Sequence, residues 1–247
     1  MRVLFVSLVS LVIACPGVAA SCIERSALTH SAVSITREFS EAEKQAAPGV
    51  AGIRGTGWFL SPRLIVTAGH VAEAMHLSAD DWEAIEIRER ERVSRRPVRI
   101  LRLAGARPEK IAVLELQNPF ARATVLRNRM DPLVPEEFLM SVAYPNNELR
   151  FAGGRFVQYG DSGALAGMAL LELHDGNDRL VLDHGASGAP VLDCKGRVVA
   201  VVSTLITQTL ALPAHKVRVS TAWQTPNVIS IPIDVLKDLP LAETSGQ

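Results

Sequence analysis

Short apolar runs separated by turn residues set the texture of most of this chain. From Gly49 onward they recur as Gly57–Leu60, Leu64–Val66, Val98–Leu103 and Ile111–Leu116. The second half repeats the texture at Phe138–Ala143, Met168–Leu173, Leu180–Leu182, Val198–Leu205, Val217–Val219 and Val228–Ile233. Runs this short, with Gly, Pro, Asn and Asp between them, predict strands of a barrel or sandwich rather than βαβ units. Little of the chain carries a sustained helical period. Ser40-Glu-Ala-Glu is placed to open a short helix, Ala72–Met75 to make a helical turn, and Asp234–Leu239 to begin a terminal one. Residues 117–136, with three prolines, predict a connection between two β halves. Residues 23–48 are polar and weakly periodic, which predicts mostly an arm or loop.

The first twenty residues differ in kind. Arg2 precedes an uncharged apolar run of 11 residues, Val3–Ile13, and Val18-Ala19-Ala20 supplies the small residues of a cleavage site. A bilayer-spanning helix needs about 20 apolar residues, so the run predicts a signal peptide over residues 1–20 and a secreted or periplasmic protein. Val12-Ile13-Ala14-Cys15 also has the form of a bacterial lipobox, which would make Cys15 a lipid anchor. Cleavage after Ala20 instead leaves Cys22 and Cys194, an even pair in an oxidising compartment and candidates for a disulfide. No other stretch is long and apolar enough to span a membrane.

Composition narrows the function classes. The chain has 247 residues, 48% of them hydrophobic and 21% charged, with a formal net charge of zero. No global field draws it to nucleic acid or anionic membranes. The one charge-dense stretch, residues 83–107, holds eight Arg and four Glu, with alternation in Ile85-Glu-Ile-Arg. That pattern fits paired strands with one solvated face or, less simply, a docking surface for an acidic partner. Without interleaved aromatics it gives no support to nucleic-acid binding. The six His show no paired spacing with Cys or carboxylates, so no metal site is expected.

Two motifs carry chemistry. In the first, the apolar strand of Gly55-Thr-Gly-Trp-Phe-Leu-Ser-Pro-Arg-Leu-Ile-Val-Thr-Ala-Gly runs into small residues and then His70. A rigid strand end fixes an imidazole as a general base must be fixed, and small neighbours leave room for substrate. In the second, His184-Gly185-Ala186-Ser187-Gly188-Ala189-Pro190-Val191 surrounds Ser187 with small residues that expose its Oγ. Such a turn also lets the N–H groups of Gly185 and Ser187 converge as an oxyanion hole.

Together these motifs resemble the chymotrypsin-like serine protease superfamily, and most of all its bacterial Deg/HtrA-type and glutamyl-endopeptidase-type members. The order His then Ser agrees, as does the separation of 117 residues, and Asn227-Val-Ile-Ser-Ile-Pro-Ile-Asp234 is similar to the family's closing strand. The resemblance covers roughly residues 50–236. It implies an all-β protein of two six-stranded antiparallel β-barrels with the active site between them. Residues 49–128 would form the first barrel with His70, 129–240 the second with Ser187, between an arm at 21–48 and a tail at 241–247. It further implies an endopeptidase acting on polypeptide substrates through an acyl-enzyme at Ser187, with no cofactor. Ser203, Thr204 and Leu205 would line the groove that pairs with substrate backbone.

The pattern breaks at the third member of the triad. The family places an acid where this chain, reading Glu109-Lys110-Ile111-Ala112-Val113-Leu114, has Lys110. Glu109 could substitute through a one-residue shift, requiring a bulge because neighbouring strand residues face opposite ways. Asp80 or Asp81 could supply the acid instead, or there is none. In the last case the chain would be a catalytically impaired homologue acting as a binding module. Gly160-Asp161-Ser162-Gly163 also offers a second serine motif, but it lacks the following proline and apolar strand found at Ser187, so a β-turn is expected there. Ala186 stands where trypsin-like zymogens keep an activating Asp, and Val181 where trypsin keeps its acidic pocket floor. Neither trypsin-like zymogen activation nor cleavage after Lys or Arg is therefore expected.

Overall fold

The computed structural model describes residues 22–105, 109–176, 182, 184–205, 207–211, 216–220 and 226–238. The first barrel is built from β1 (Val33–Glu38), β2 (Gly52–Ser61), β3 (Leu64–Ala68), β4 (Glu83–Glu89), β5 (Arg92–Ala104) and β6 (Ile111–Leu116). The second uses β7 (Phe138–Ala143), β8 (Arg150–Tyr159), β9 (Ala169–His174), β10 (Pro190–Leu192), β11 (Val198–Leu205) and β14 (Val228–Pro232). Each sheet closes, in the orders β1-β2-β3-β6-β5-β4 and β7-β8-β9-β14-β11-β10. In both, the barrel's six strands follow the same path, and β12 (Thr207–Ala211) with β13 (Lys216–Ser220) forms a hairpin inserted before the last strand of the second. The chain is therefore all-β, two closed six-stranded antiparallel barrels.

The continuous apolar runs follow from this arrangement. On β6, Ala112 and Leu114 enter the core of the first barrel, while Ile111 and Val113 join a separate cluster between the barrels. Both faces of the strand are dry, so period-two alternation disappears. β3 behaves likewise, with Ile65 inside the barrel and Val66 between the barrels. The second barrel closes around Leu139, Phe156, Leu171, Leu173 and Val191. The interbarrel cluster draws Trp58 and Leu60 from β2, Val142 from β7, Val201 from β11 and Ile231 from β14.

One expectation needs correction, and two further strands carry little signal in the sequence. The segment read as an arm supplies β1, which pairs with both β2 and β4 and so belongs to the first barrel. Only Val33 and Ile35 mark it, both fully buried in the barrel core, and two apolar positions are too short a pattern to read as a strand. β8, not anticipated, begins at Arg150 and carries Gly153 and Gly154, residues that weaken a strand signal. β10 is only three residues long. Leu180 and Val181 lie outside the described residues. The short helices fall close to their signals: α1 (Glu41–Ala46) carries a full capping box between Ser40 and Glu43, and α2 (Gly69–Ala74) follows β3 directly. Residues 117–136 contain no strand and run between the barrels, touching them through isolated bridges Phe59–Val125 and Asn128–Val198.

Cys22 and Cys194 form a disulfide, and the Ile23 amide donates to the Cys194 carbonyl at 2.9 Å. The N-terminal segment is thus stapled to the β10–β11 connection. There Asp193, 4% exposed, accepts from the Lys195 and Arg197 amides at 2.9 Å each and from the Arg197 guanidinium. Among the described residues no helix is long and apolar enough to cross a membrane.

Candidate active site

His70 is the second residue of α2, immediately past the end of β3, with nearly half of its side chain exposed. Gly69 makes the placement possible. Its amide donates to the Lys110 carbonyl at 2.7 Å, and a Cβ at position 69 would come within 2.9 Å of the Lys110 Cβ. That close approach pins the start of α2 to the chain just ahead of β6, and so brings the two residues before Ile111 beside His70.

The two candidates for the acid slot part there. Lys110 turns its Nζ towards Glu73, 3.8 Å from Oε1, while Glu109 places Oε2 3.9 Å from His70 Nδ1. This placement of Glu109 involves no strand bulge. β6 begins only at Ile111 and its ladder with β3 is regular from Ala68–Ile111 onward, so residue 109 is free of the strand's alternation. At 3.9 Å the pair is an ionic contact rather than a hydrogen bond. The adjacent His70, together with the Ser203 hydroxyl, holds the Glu109 carboxyl below the ordinary carboxylate range, against partial burial that pushes it up. Asp80 and Asp81 sit in a bend where both amides bond to the Ser78 hydroxyl, and among the described residues neither contacts His70.

Ser187 lies in the turn that precedes β10, and a residue of the other barrel holds that turn. Thr56, fully buried on β2, carries no local sequence signal for this role beyond the Gly-Thr-Gly it belongs to. Its amide donates to the Ser187 carbonyl at 2.9 Å and its hydroxyl to the Gly185 carbonyl at 2.6 Å, while the same hydroxyl accepts from the Tyr144 amide at 3.0 Å. One small side chain thus fixes the serine turn on the first barrel. Gly188 completes the junction. Its φ is +92°, and a Cβ there would lie 2.0 Å from the Thr56 carbonyl oxygen, so no other residue fits. The Gly185 and Ser187 amides make no hydrogen bond among the described residues.

Ser203 joins the nucleophile candidate to the acid candidate. The ladder between β11 and β14 slips between Val202 and Thr204, leaving Ser203 as the extra residue of a bulge. The Ser187 Oγ donates to its carbonyl at 2.9 Å, and its own Oγ donates to Glu109 Oε2. The family resemblance places Ser203 in the substrate groove but gives no hint of this second contact, because a bulge leaves no mark on an apolar run. Thr204 and Leu205 pair through their backbones with Ile229 and Val228, and among the described residues no strand covers their other edge. Ser187 makes no hydrogen bond with His70 among the described residues. The rival Ser162 is exposed before a single 3₁₀ turn, its hydroxyl donating to Asp161 at 2.9 Å, and among the described residues it makes no hydrogen bond with an imidazole.

Paired six-stranded barrels, with a histidine at a strand end of one and a serine turn on the other, define the class of chymotrypsin-like serine proteases. Residues 55–201 match the trypsin-like peptidase domain, and the chain belongs to that family. Among solved structures the chain is similar to the Rv3671c protease of M. tuberculosis in its active form. There the TM-score is 0.56 at 15% identity over 94% of this chain and 92% of that one. The inactive form of the same protease gives 0.56 at 14% identity, over 86% and 88%. A serine endoprotease from Yersinia pestis gives 0.54 at 15% identity over 85% of this chain and 61% of that one. At these identities the likeness speaks to the fold. No curated protein matches the chain.

Proposed function

We propose that this chain is an exported serine endopeptidase that cleaves polypeptides through an acyl-enzyme at Ser187. The observation that carries the reading is Glu109: in place of the displaced acid of the sequence pattern, a carboxylate faces His70 Nδ1 at 3.9 Å and is itself held by Ser203. His70 acts as general base towards Ser187, and Glu109 orients the imidazole and stabilises the imidazolium that forms. The Gly185 and Ser187 amides, without partners among the described residues, receive the oxyanion. An extended substrate adds to the open edge of residues 203–205 as a strand. There it competes for the Ser203 carbonyl, and the Ser187 hydroxyl, relieved of that acceptor, turns to His70. Apo sites commonly show such loose catalytic hydrogen bonds.

The Cys22–Cys194 disulfide supports the exported reading, since such bonds persist in oxidising compartments. The signal-peptide and lipobox segments themselves lie outside the described residues. The competing reading, a catalytically impaired homologue that binds without cleaving, drew on Lys110, and the Lys110 side chain is turned to Glu73. Casein cleavage and fluorophosphonate labelling of wild type, His70→Ala, Ser187→Ala and Ser162→Ala test the proposal. Loss of both signals in the first two variants alone is the expected result. A folded wild type that neither cleaves nor labels would make the chain a binding module.

A further inference from the structure

The arginine-rich hairpin of β4 and β5 takes no part in the site above, and its charges are unevenly matched. Arg88 lies 3.3 Å from Glu86, Arg99 lies 2.8 Å from Glu115, and Arg102 donates to the Asp238 carbonyl at 3.0 Å. A different group gathers at the open end of the first barrel. Arg92, Ser94 and Arg96 alternate along β5 and so share one face of the sheet. Ser94 and Arg96 stand directly opposite Ile87 and Ile85, both fully buried in the barrel core. The inward-facing row Ile100 and Val98 therefore continues into guanidinium groups where the barrel opens.

Phe120 floors that end. Its ring lies 4.9 Å from that of Phe59, and the Arg96 guanidinium lies 5.9 Å from its centroid. Arg122 follows two residues later at φ +66°, a backbone region that a non-glycine residue enters only when its surroundings hold it there. Arg92, Ser94, Arg96, Phe120 and Arg122 line one cavity of about 340 Å³, and no carboxylate lines it.

Among the described residues neither Arg96 nor Arg122 has a carboxylate partner, and Arg92 has only Glu89 at 3.7 Å. The Arg96 Nε is buried without an acceptor. A buried donor left unpaired is costly, and native proteins seldom tolerate one without a reason. Guanidinium forks match tetrahedral oxyanions through paired N–H donors, and a serine hydroxyl adds a further donor. We propose that this cavity binds a phosphate or sulfate group, free or as a monoester, with Arg96 and Arg122 as its principal ligands. The site is separate from the peptidase centre and its occupancy does not depend on proteolysis.

Titration of the purified protein with inorganic phosphate and with glycerol 2-phosphate tests this, followed by amide chemical shifts against sodium chloride at matched ionic strength. Saturable shifts confined to residues 92–96 and 120–122 are expected. Arg122→Gln and Arg96→Lys should each weaken binding at least about tenfold, as loss of charge-assisted hydrogen bonds implies, while Arg102→Gln leaves it unchanged. Arg122 is exposed, so its variant keeps the test open even if changes at Arg96 disturb the barrel. Tighter binding of glycerol 2-phosphate marks a monoester as the ligand, and tighter binding of phosphate marks the free ion. Shifts equal to those of chloride, or variants that bind as wild type does, would overturn the proposal and leave Arg96 as a cap on the barrel end.

Discussion

Replacing Glu109 by Gln keeps the side-chain shape and an acceptor for the Ser203 hydroxyl, and removes one negative charge beside His70. In the proposed mechanism the imidazole gains a proton during attack, so the carboxylate matters most in the transition state. At the observed 3.9 Å, Coulomb attraction between unit charges is worth about 4 kcal/mol at a near-surface dielectric of ~20 and about 1 kcal/mol in bulk water. His70 is 46% exposed and Glu109 26% exposed, so the value lies between those limits. At about 1.4 kcal/mol per factor of ten, kcat/KM should fall between roughly 5-fold and roughly 10³-fold. The loss should appear in kcat with KM little changed, because the interaction strengthens only as the imidazolium forms. Steady-state hydrolysis of a fluorogenic peptide measures both constants, with His70→Ala as the floor and Lys110→Ala as the control, the latter changing kcat/KM less than about twofold. An unchanged kcat in a folded Glu109→Gln enzyme would refute the assignment, as would a larger loss from Lys110→Ala.

Breaking the Cys22–Cys194 bond with Cys194→Ser should lower unfolding stability by about 2–5 kcal/mol, since it closes a separation of 172 residues. Denaturant midpoints compared with and without reductant read the loss, and coincident curves would contradict it. Gly188→Ala should abolish both labelling of Ser187 and the native fold of its turn, because the added Cβ meets the Thr56 carbonyl at 2.0 Å; a labelled, stable variant would sink that argument. Asp193→Asn should destabilise by about 1–3 kcal/mol at neutral pH. Burial raises the Asp193 pKa, but the Arg197 amide and guanidinium and the Lys195 amide outweigh it and hold the pKa below its ordinary value. A depressed folded-state pKa contributes stability above the unfolded value of about 3.9 and loses it as pH falls through the folded one. The gap between wild type and Asp193→Asn should therefore close in urea melts as pH drops below about 4, and a gap constant with pH would contradict this.

Much of the protein was legible in one dimension. The runs at Ile111–Leu116, Phe138–Ala143 and Val198–Leu205 coincide with β6, β7 and β11 because apolar residues bounded by turn formers have few other ways to leave water. The capping box at Ser40 and Glu43 marks α1 because both partners lie within one helical turn. The serine and histidine motifs stood out for a similar reason: each needs its small neighbours within a few residues, so its chemistry is written locally.

What the linear pattern left open depends on contacts between distant residues. β1 is a strand because β2 and β4 flank it, and Val33 and Ile35 have too little pattern of their own to announce that. The choice of Glu109 over Lys110, Asp80 or Asp81 was undecided in sequence, since side-chain direction there hangs on the packing of Gly69 against the Lys110 backbone. Thr56, 131 residues before Ser187, holds the serine turn only once the two barrels meet. Residue types and local spacing determined by themselves which groups this chain has for the proposed acyl-transfer chemistry. The tertiary structure decided which carboxylate faces the imidazole and which hydroxyl holds it, because hydrogen bonds and ionic contacts fall off within a few ångströms and only folding brings such residues that close.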